Sequence, residues 1–570
     1  MCSGCTKPNF CGCGQVFFCA SAVSGFSDEV GTCLWPSGSV FLWDDLGITR
    51  MASLLRRAWS SVRQTSKEAV GKSQSEDMAM EDDGPEVMKL PGEMLFSIFA
   101  RLDSVDLAHV SAVCKTWHAI ADDDALWEAR LVADNGPLWP SVQFAENFLR
   151  AGFCQRPASD VPTGHRSRLP GTALPSPTLN ALLPFRSIYS QRAMVPRAII
   201  FDGGSGYAKY GWSDEVAPQD TLATFLEFGN IESPLYPRLK HLFTVIFDRM
   251  RVKASAQPIV LSTPTVHSDD SQIEKKARRQ LRETTFSVLF ELGVPAICAI
   301  DQAVLALFAS NQTSGIVVNI GFHVTTVAPV LHGVVMRSLG LEIMGQGAMT
   351  LTVHLSELMH QSGLRFASMY TARTLKEKLC YVAQDFVEEH YNENCEASCE
   401  VGTEGTFTLR SERFRAPEIL FQPRLGNLRT MALHQAVALC IDHCYNLPLE
   451  DAADANWYKN IVLTGGSACL PGLSGRLEKE LSRMLPADMS DGIRVLPPKQ
   501  GPYSAWFGAK VLSNVSTFQS AWCVTRKQFK RLGPSCVHDH DIYDDDMVET
   551  QSIREQAWTM ERPGPPAPYR

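Results

Sequence analysis

Three short apolar runs in this chain each end in a turn that contains glycine. Residues 198–201 lead into the sequence Asp-Gly-Gly-Ser-Gly, residues 315–320 are followed by Gly321, and residues 461–464 are followed by a pair of glycines. Short apolar runs bounded by turn residues are typical of fully buried strands. Because glycine lets backbone N–H groups converge on an anion, the three turns together predict one cleft built from two similar halves.

The turn after the first run has the composition of a phosphate-binding loop. Asp202 closes the apolar run, and Lys209 follows the glycines. A lysine neutralises phosphate charge, and a carboxylate at a strand end can hold a hydrated Mg²⁺ ion. Taken by itself, this segment is equally compatible with an ordinary tight hairpin. The prediction of an anion site therefore depends on the two later turns.

Residues 90–131 show a second pattern, in which apolar side chains recur at intervals of three and four residues. The positions are Leu90, Met94, Leu95, Ile98, Phe99, Leu102, Leu107, Val110, Val113, Cys114 and Trp117. This period predicts short stacked helices. About forty residues cannot hide so long an apolar seam, so a surplus face remains for the groove of a partner. The alternative is a helical mini-domain that packs only on the rest of the chain.

The same segment resembles the F-box, the module that binds the Skp-type adaptor of a cullin-RING ubiquitin ligase. The resemblance is carried by Leu90-Pro91, by residues 113–117 and by Leu126-Trp127. It implies an adaptor and a cullin as partners, together with a protein target that the sequence does not identify. Some of the matching residues must form the module's own core. The predicted adaptor-binding residues are Leu90, Pro91, Leu95, Ile98, Val113, Cys114, Trp117 and Trp127.

Composition is that of a protein with two or more domains. Of the 570 residues 45% are apolar and 20% charged, and 53 basic against 62 acidic residues give a net charge of −9. A mildly acidic total argues against direct nucleic-acid binding. Most of the 17 cysteines are scattered singly through apolar stretches, which is typical of buried thiols in a reducing compartment. The uncharged stretch at residues 315–336 is too polar for a membrane span and predicts buried strands.

Residues 195–537 resemble actin across nearly their whole length. The stretches that carry the resemblance are residues 300–310, 375–383, 412–418, 470–473 and 516–519. An F-box joined to such a domain is similar to the plant actin-related proteins of that architecture. The implied fold is an α/β actin-like fold, with two ribonuclease H-like duplicated domains around a nucleotide cleft, preceded by a small all-α F-box module. The implied cofactor is ATP or ADP with Mg²⁺.

The resemblance also implies which residues bind the nucleotide. Asp202 is the implied Mg²⁺ residue, acting through water. The matching positions, from the first phosphate loop to the turn on the nucleoside side, are Asp202, Gly203, Gly204, Ser205, Gly206, Lys209, Gln302, Lys376, Glu377, Gly465 and Gly466.

Five positions depart from the actin pattern. Asn319 and Phe322 stand where the second phosphate loop has carboxylates, Thr326 replaces a histidine, and Gly501-Pro502 replaces a basic pair beside the base. Phosphoryl transfer depends on groups that place Mg²⁺ and water against developing charge, so these changes predict very slow hydrolysis. The surviving glycines and Lys209 leave open that ATP is retained as a structural ligand.

Changes in composition along the chain predict where its domains and linkers begin and end. The N-terminal cysteines Cys2, Cys5, Cys11, Cys13 and Cys19 predict either a zinc site or an unstructured tail. The predicted divisions are a disordered or extraneous region at 1–84, the F-box and following helices at 85–155, a linker at 156–194, the actin-like domain at 195–537, and an acidic, proline-containing disordered tail at 538–570.

The segment after the first phosphate hairpin indicates whether the protein can form actin-like filaments. In actin this segment carries a projecting subdomain that grips the neighbouring subunit. Here only residues 214–239 fill the gap, and Pro218, Pro234 and Pro237 interrupt them. We therefore expect most of this subdomain to be missing, and we expect no actin-like filaments.

Taken together, these features predict a non-catalytic substrate receptor of a cullin-RING ubiquitin ligase, with a degenerate cleft used for protein interaction. One alternative is a nuclear actin-related scaffold of a chromatin-associated complex, and another is a weak ATP-binding or ATPase protein. No membrane association is expected. The expected locations are the nucleus, including the nucleolus, and the cytoplasm.

Overall fold

The computed structural model describes residues 90–150, 184–224, 233–265, 272–392, 394–402, 404–446 and 456–537. The chain divides into two compact units, with the boundary between Ala121 and Asp122. The five N-terminal cysteines, the N-terminal region before Leu90 and the tail from residue 538 lie outside the described residues, as does most of the predicted linker.

The described part of the first unit, residues 90–121, is helical. Pro91 occupies the N-cap position of the first helix, and the Asp103 side chain caps the second by accepting from the Asp106 N–H at 2.7 Å. The Phe99 and Trp117 rings meet edge to face, with centroids 5.4 Å apart. The predicted stacked helices are thus confirmed as α1 (Gly92–Phe99), α2 (Ser104–Val110) and α3 (Lys115–Ala121).

The second unit begins with helices that fall within the predicted F-box region at 85–155 and the predicted linker at 156–194. They are α4 (Asp124–Asn135), α5 (Trp139–Arg150) and α6 (Phe185–Ala193). The Tyr189 hydroxyl of α6 donates to Asp134 of α4 at 2.6 Å. Glu146 of α5 is buried, and its carboxylate accepts from the backbone N–H and, at 2.9 Å, from the hydroxyl of Ser516. These helices therefore pack as part of the second unit.

The first sheet follows the first glycine turn. Its strand order is β14-β5-β4-β1-β2-β3. The strands are β1 (Ile199–Asp202), β2 (Tyr207–Trp212), β3 (Asp220–Ala223), β4 (Ile259–Thr263), β5 (Ala296–Asp301) and β14 (Val524–Thr525). The helices of this part of the chain are α7 (Leu235–Met250), α8 (Gln272–Leu292) and α9 (Gln302–Ala309).

The second sheet has the order β13-β12-β6-β7-β8, with β9 also paired to β7. Its strands are β6 (Gly315–Ile320), β7 (Val324–Leu331), β8 (Val334–Val335), β9 (Leu341–Met344), β12 (Asn460–Thr464) and β13 (Arg494–Leu496). A separate hairpin joins β10 (Ala397–Val401) to β11 (Gly405–Leu409). The uncharged run at 315–336 is therefore built of strands, as predicted.

Helices of this second part and of the C-terminal segment cover the sheets. They are α10 (Ala348–Gln361), α11 (Met369–Leu379), α12 (Phe386–Glu389), α13 (Glu412–Glu418), α14 (Leu433–Tyr445), α15 (Leu473–Met484), α16 (Ala487–Ser490), α17 (Ser504–Ser513) and α18 (Arg526–Leu532). Within the described ranges, every helix is too short or too polar to cross a membrane.

The two sheets repeat one arrangement. β1 pairs antiparallel with β2 and parallel with β4, and β6 pairs antiparallel with β7 and parallel with β12. The first and second glycine turns follow β1 and β6, so they occupy equivalent positions in the two halves. The third turn follows β12, which lies beside β6. The two sheets therefore have the same strand pairing around their glycine turns, as expected for two similar halves.

Candidate functional site

One glutamine joins the two halves at the ends of β1 and β6. Gln302 is the first residue of α9, and its side-chain N–H donates to Asp202 Oδ1 at 3.0 Å. Its side-chain oxygen accepts from the amide of Asn319, also at 3.0 Å. Asp202 closes β1 and Asn319 lies in β6, so this pair of hydrogen bonds spans the cleft.

The Asp202 carboxylate has partners on both oxygens. Oδ2 accepts from Lys209 Nζ at 2.9 Å, while Oδ1 accepts from Gln302. Burial alone would raise the pKa of this carboxyl, but the Lys209 ammonium and the hydrogen bonds outweigh burial and hold the pKa below its usual value. Asp202 is therefore ionised and neutralised by Lys209 within the chain.

Phe322 packs against the first glycine turn. A Cβ atom placed on Gly206 would lie 2.4 Å from the Phe322 ring, so only glycine fits there. The ring also meets Tyr207, with centroids 6.0 Å apart and the planes nearly perpendicular. The turn after β6 thus places an aromatic ring directly on the turn after β1.

The third glycine turn also reaches β6. Gly465 has a φ of +96°, and a Cβ there would lie 2.4 Å from the Ile320 carbonyl oxygen and 2.8 Å from Asn319 Oδ1. The neighbouring Gly466 opens a short 3₁₀ helix and faces open space. The three turns picked out in the sequence therefore meet around Asn319 and Phe322.

Lys376 and Glu377 make other contacts. Lys376 is buried, and its ammonium donates to the Ala348 carbonyl and to Thr352 Oγ1, both at 3.1 Å. Burial lowers its pKa to about 8. Glu377 is exposed and accepts from Arg373 at 2.8 Å. The Lys376 hydrogen bonds are thus made to helix α10, whose Ala348 N–H in turn donates to the Gly321 carbonyl of the second glycine turn at 2.9 Å.

Comparison with known proteins supports this geometry. The family model described as Actin matches residues 239–540, and a model described as F-box-like matches residues 87–133. The chain is 49% identical to "Actin-related protein 8" of Oryza sativa subsp. japonica over 502 residues, which are 86% of this chain and all of that protein. It is 51% identical to "Actin-related protein 8" of Arabidopsis thaliana over 443 residues, 78% of this chain and 89% of that one.

The chain belongs to the actin family. The α/β actin-like fold and the F-box-like region predicted from the sequence are both confirmed. The actin match begins inside α7 and the F-box-like match ends inside α4, so α5, α6 and the first three strands lie between the two matched ranges.

The cleft residues do not fit the Mg²⁺-nucleotide of the actin family. Each Asp202 oxygen already accepts a hydrogen bond, Asn319 brings no charge, and Phe322 has no oxygen in its side chain. A hydrated Mg²⁺ ion needs carboxylate or carbonyl oxygens. Across the part of the chain that the structure describes, no group of three or more His, Cys, Asp or Glu side chains could hold a metal ion.

The structure sorts the predicted adaptor-binding residues by accessibility. Pro91 is exposed, and Leu90, Val113 and Cys114 are partly exposed. Leu95, Ile98 and Trp117 are buried. The buried Trp127 belongs to the second unit and packs on Tyr189 of α6, with ring centroids 5.2 Å apart.

Sequence reasoning missed an exposed valine in α2. Val105 in α2 has 61% of its surface exposed. It precedes the buried Leu107 by two positions, which places it about 200° around the helix from that core residue. Helical spacing alone could have identified it as a surface valine.

Proposed function

We propose that this chain is the substrate-receptor subunit of a cullin-RING ubiquitin ligase. The observation that carries the proposal is the F-box-like match at residues 87–133 in a chain whose remainder is an actin-family unit. Its helices leave an exposed Val105 and a partly exposed Leu90 and Val113 for the groove of a Skp-type adaptor. The actin-like unit then recruits a protein target, and ubiquitin transfer belongs to other subunits.

A non-catalytic role for the actin-like unit is part of this proposal. The side chains at the centre of its cleft bond to one another, and the charge of the Asp202 carboxylate is already neutralised by Lys209. Phosphoryl transfer needs groups that place Mg²⁺ and water. The proposed location is the nucleus and the cytoplasm, where the adaptor and cullin would have to meet the chain.

The test is affinity purification of the tagged full chain from plant cells, followed by mass spectrometry. The adaptor and a cullin should copurify with the wild-type chain. Leu90→Ala combined with Pro91→Ala should abolish their recovery. The proposal fails if the doubly substituted chain still brings down the adaptor, or if the wild type never does.

A matched pair of valine substitutions separates binding from folding. Val105→Asp changes an exposed residue of α2, so it should remove adaptor binding while the thermal unfolding midpoint stays unchanged. Val216→Asp changes a valine that is 90% exposed and lies outside the F-box helices. It should leave adaptor binding and the thermal unfolding midpoint unchanged.

The same purification distinguishes the ligase receptor from the alternative scaffold. A preparation without cullin but rich in chromatin-remodelling subunits would favour the scaffold function.

A further inference from the structure

We propose that Phe322 and Gln302 close the cleft in place of a nucleotide, so that the two halves of the actin-family unit are held together without a ligand. The proposal uses the same cleft contacts as the non-catalytic part of the proposed function, but it does not depend on adaptor binding, which involves the F-box-like match at 87–133. It follows from contacts that cross the cleft at the two phosphate-loop positions.

The first step of the argument is steric. The ring of Phe322, from the turn after β6, lies on Gly206, from the turn after β1, so closely that no methyl group fits between them. A phosphate group held by both turns would need this volume. The ring and a phosphate cannot occupy it together, so the closed cleft and nucleotide binding exclude each other.

The second step concerns the polar groups. The side-chain N–H of Gln302 donates to Asp202, and the side-chain oxygen of Gln302 accepts from Asn319, at 3.0 Å in each case. With Asp at position 319, two carboxylates would face the glutamine, and a cation would be needed between them. The neutral amide of Asn319 instead completes the bridge with protein atoms alone. Closure of this cleft therefore requires neither a metal ion nor an anion.

The third step concerns energetics. The hydrogen bond between the neutral amides of Asn319 and Gln302, the hydrogen bond from Gln302 to the Asp202 carboxylate, and an edge-to-face aromatic contact are each net stabilising. The Phe322 ring makes one such contact with Tyr207 across the turns. The closed arrangement thus has its own stabilising contacts, and a ligand would have to break them before it could bind.

Nucleotide binding provides the first experiment. The full-length chain is titrated with a fluorescent ATP analogue in the presence of Mg²⁺, and its unfolding midpoint is measured with Mg-ATP and with EDTA. The wild type should show no saturable binding up to about 1 mM and no midpoint shift. Phe322→Asp combined with Asn319→Asp should bind at least about tenfold more tightly. Saturable binding by the wild type, or an unchanged affinity in the double variant, would overturn the proposal.

A coupling experiment tests the ring contact even if the aspartate variant does not fold. Gly206→Ala should lower the unfolding midpoint of the wild type, because its new methyl group collides with the ring. In a Phe322→Gly background, which also removes the Cβ atom of residue 322 that would lie 2.9 Å away, the same change should have little effect. Gly466→Ala is the matched control, since that glycine faces open space, and it should be neutral in both backgrounds. Equal effects of Gly206→Ala in the two backgrounds would show that Phe322 does not occupy this position.

Discussion

Replacing the buried Lys376 by methionine should stabilise the protein at neutral pH. This lysine is buried, and burial lowers its pKa from 10.5 to about 8. At neutral pH the folded state holds the ammonium charged in a site that disfavours charge. The difference between the two pKa values corresponds to about 3 kcal/mol of lost stability below pH 8.

Methionine removes the destabilisation caused by the buried charge, but it also loses two hydrogen bonds. The Ala348 carbonyl and the Thr352 hydroxyl lose the lysine as donor, but they keep each other as partners at 2.8 Å. Because these acceptors stay bonded, the two lost hydrogen bonds are worth about 2 kcal/mol together. The net expectation for Lys376→Met is a gain of about 1 kcal/mol in the free energy of unfolding near pH 7.

The stability advantage of Lys376→Met should decrease as the pH rises. Because the folded pKa is the lower one, the unfolded chain binds more protons between about pH 8 and pH 10.5, and wild-type stability rises with pH across that window. The variant lacks this rise, so its advantage should vanish by about pH 10. Urea unfolding of the full chain, followed by tryptophan fluorescence near pH 7 and pH 10, measures both values.

Lys378→Met is the control, because Lys378 lies on the same helix and is exposed. Its unfolding curve should follow the wild type at both pH values. The reasoning is refuted if Lys376→Met is less stable than the wild type near pH 7. It is also refuted if the difference between the two proteins does not change with pH.

Three further changes probe the second unit. Arg476→Met leaves the fully buried Glu418 without its guanidinium at 3.2 Å, and urea unfolding should show a loss of about 3 to 5 kcal/mol. Glu146→Ala leaves the N–H and hydroxyl of Ser516 without their acceptor, and should cost about 2 to 4 kcal/mol by the same assay. A chain that begins at residue 195 lacks α4 to α6, and it should aggregate on expression because the apolar core they cover is exposed; a soluble monomer would contradict this.

Local patterns predicted the strands and helices that carry the sites, but not their long-range contacts. Apolar runs ending in glycine identified β1, β6 and β12, because a buried strand and its turn are encoded within about ten residues. Residue type also showed that position 322 could not hold a metal ion. The sequence did not show that the ring fills the space against Gly206, because that contact joins two separate turns.

The adaptor-binding residues show the same limit. Periodicity identifies one face of each short helix, but it does not say whether that face packs inside the chain or meets a partner. Trp127 matched the F-box pattern and is nevertheless covered by Tyr189, which lies about sixty residues later, within the segment predicted as a linker. Likewise, the position of Lys376 matched the family while its long side chain turned towards Ala348. Side-chain direction depends on neighbours that the local sequence does not specify.

The two proposals together constrain how the protein could be regulated. A protein that closes on a nucleotide can change state when that nucleotide is bound, hydrolysed or released, because the ligand binds one state better than the other. A cleft closed by Phe322 and by the bridge through Gln302 has no such ligand. The actin-like unit would then present one fixed surface to its target. Any switch in a receptor of this kind must therefore act on its partners, or on a segment outside the cleft, and adaptor recovery should be the same with Mg-ATP, with Mg-ADP and with EDTA.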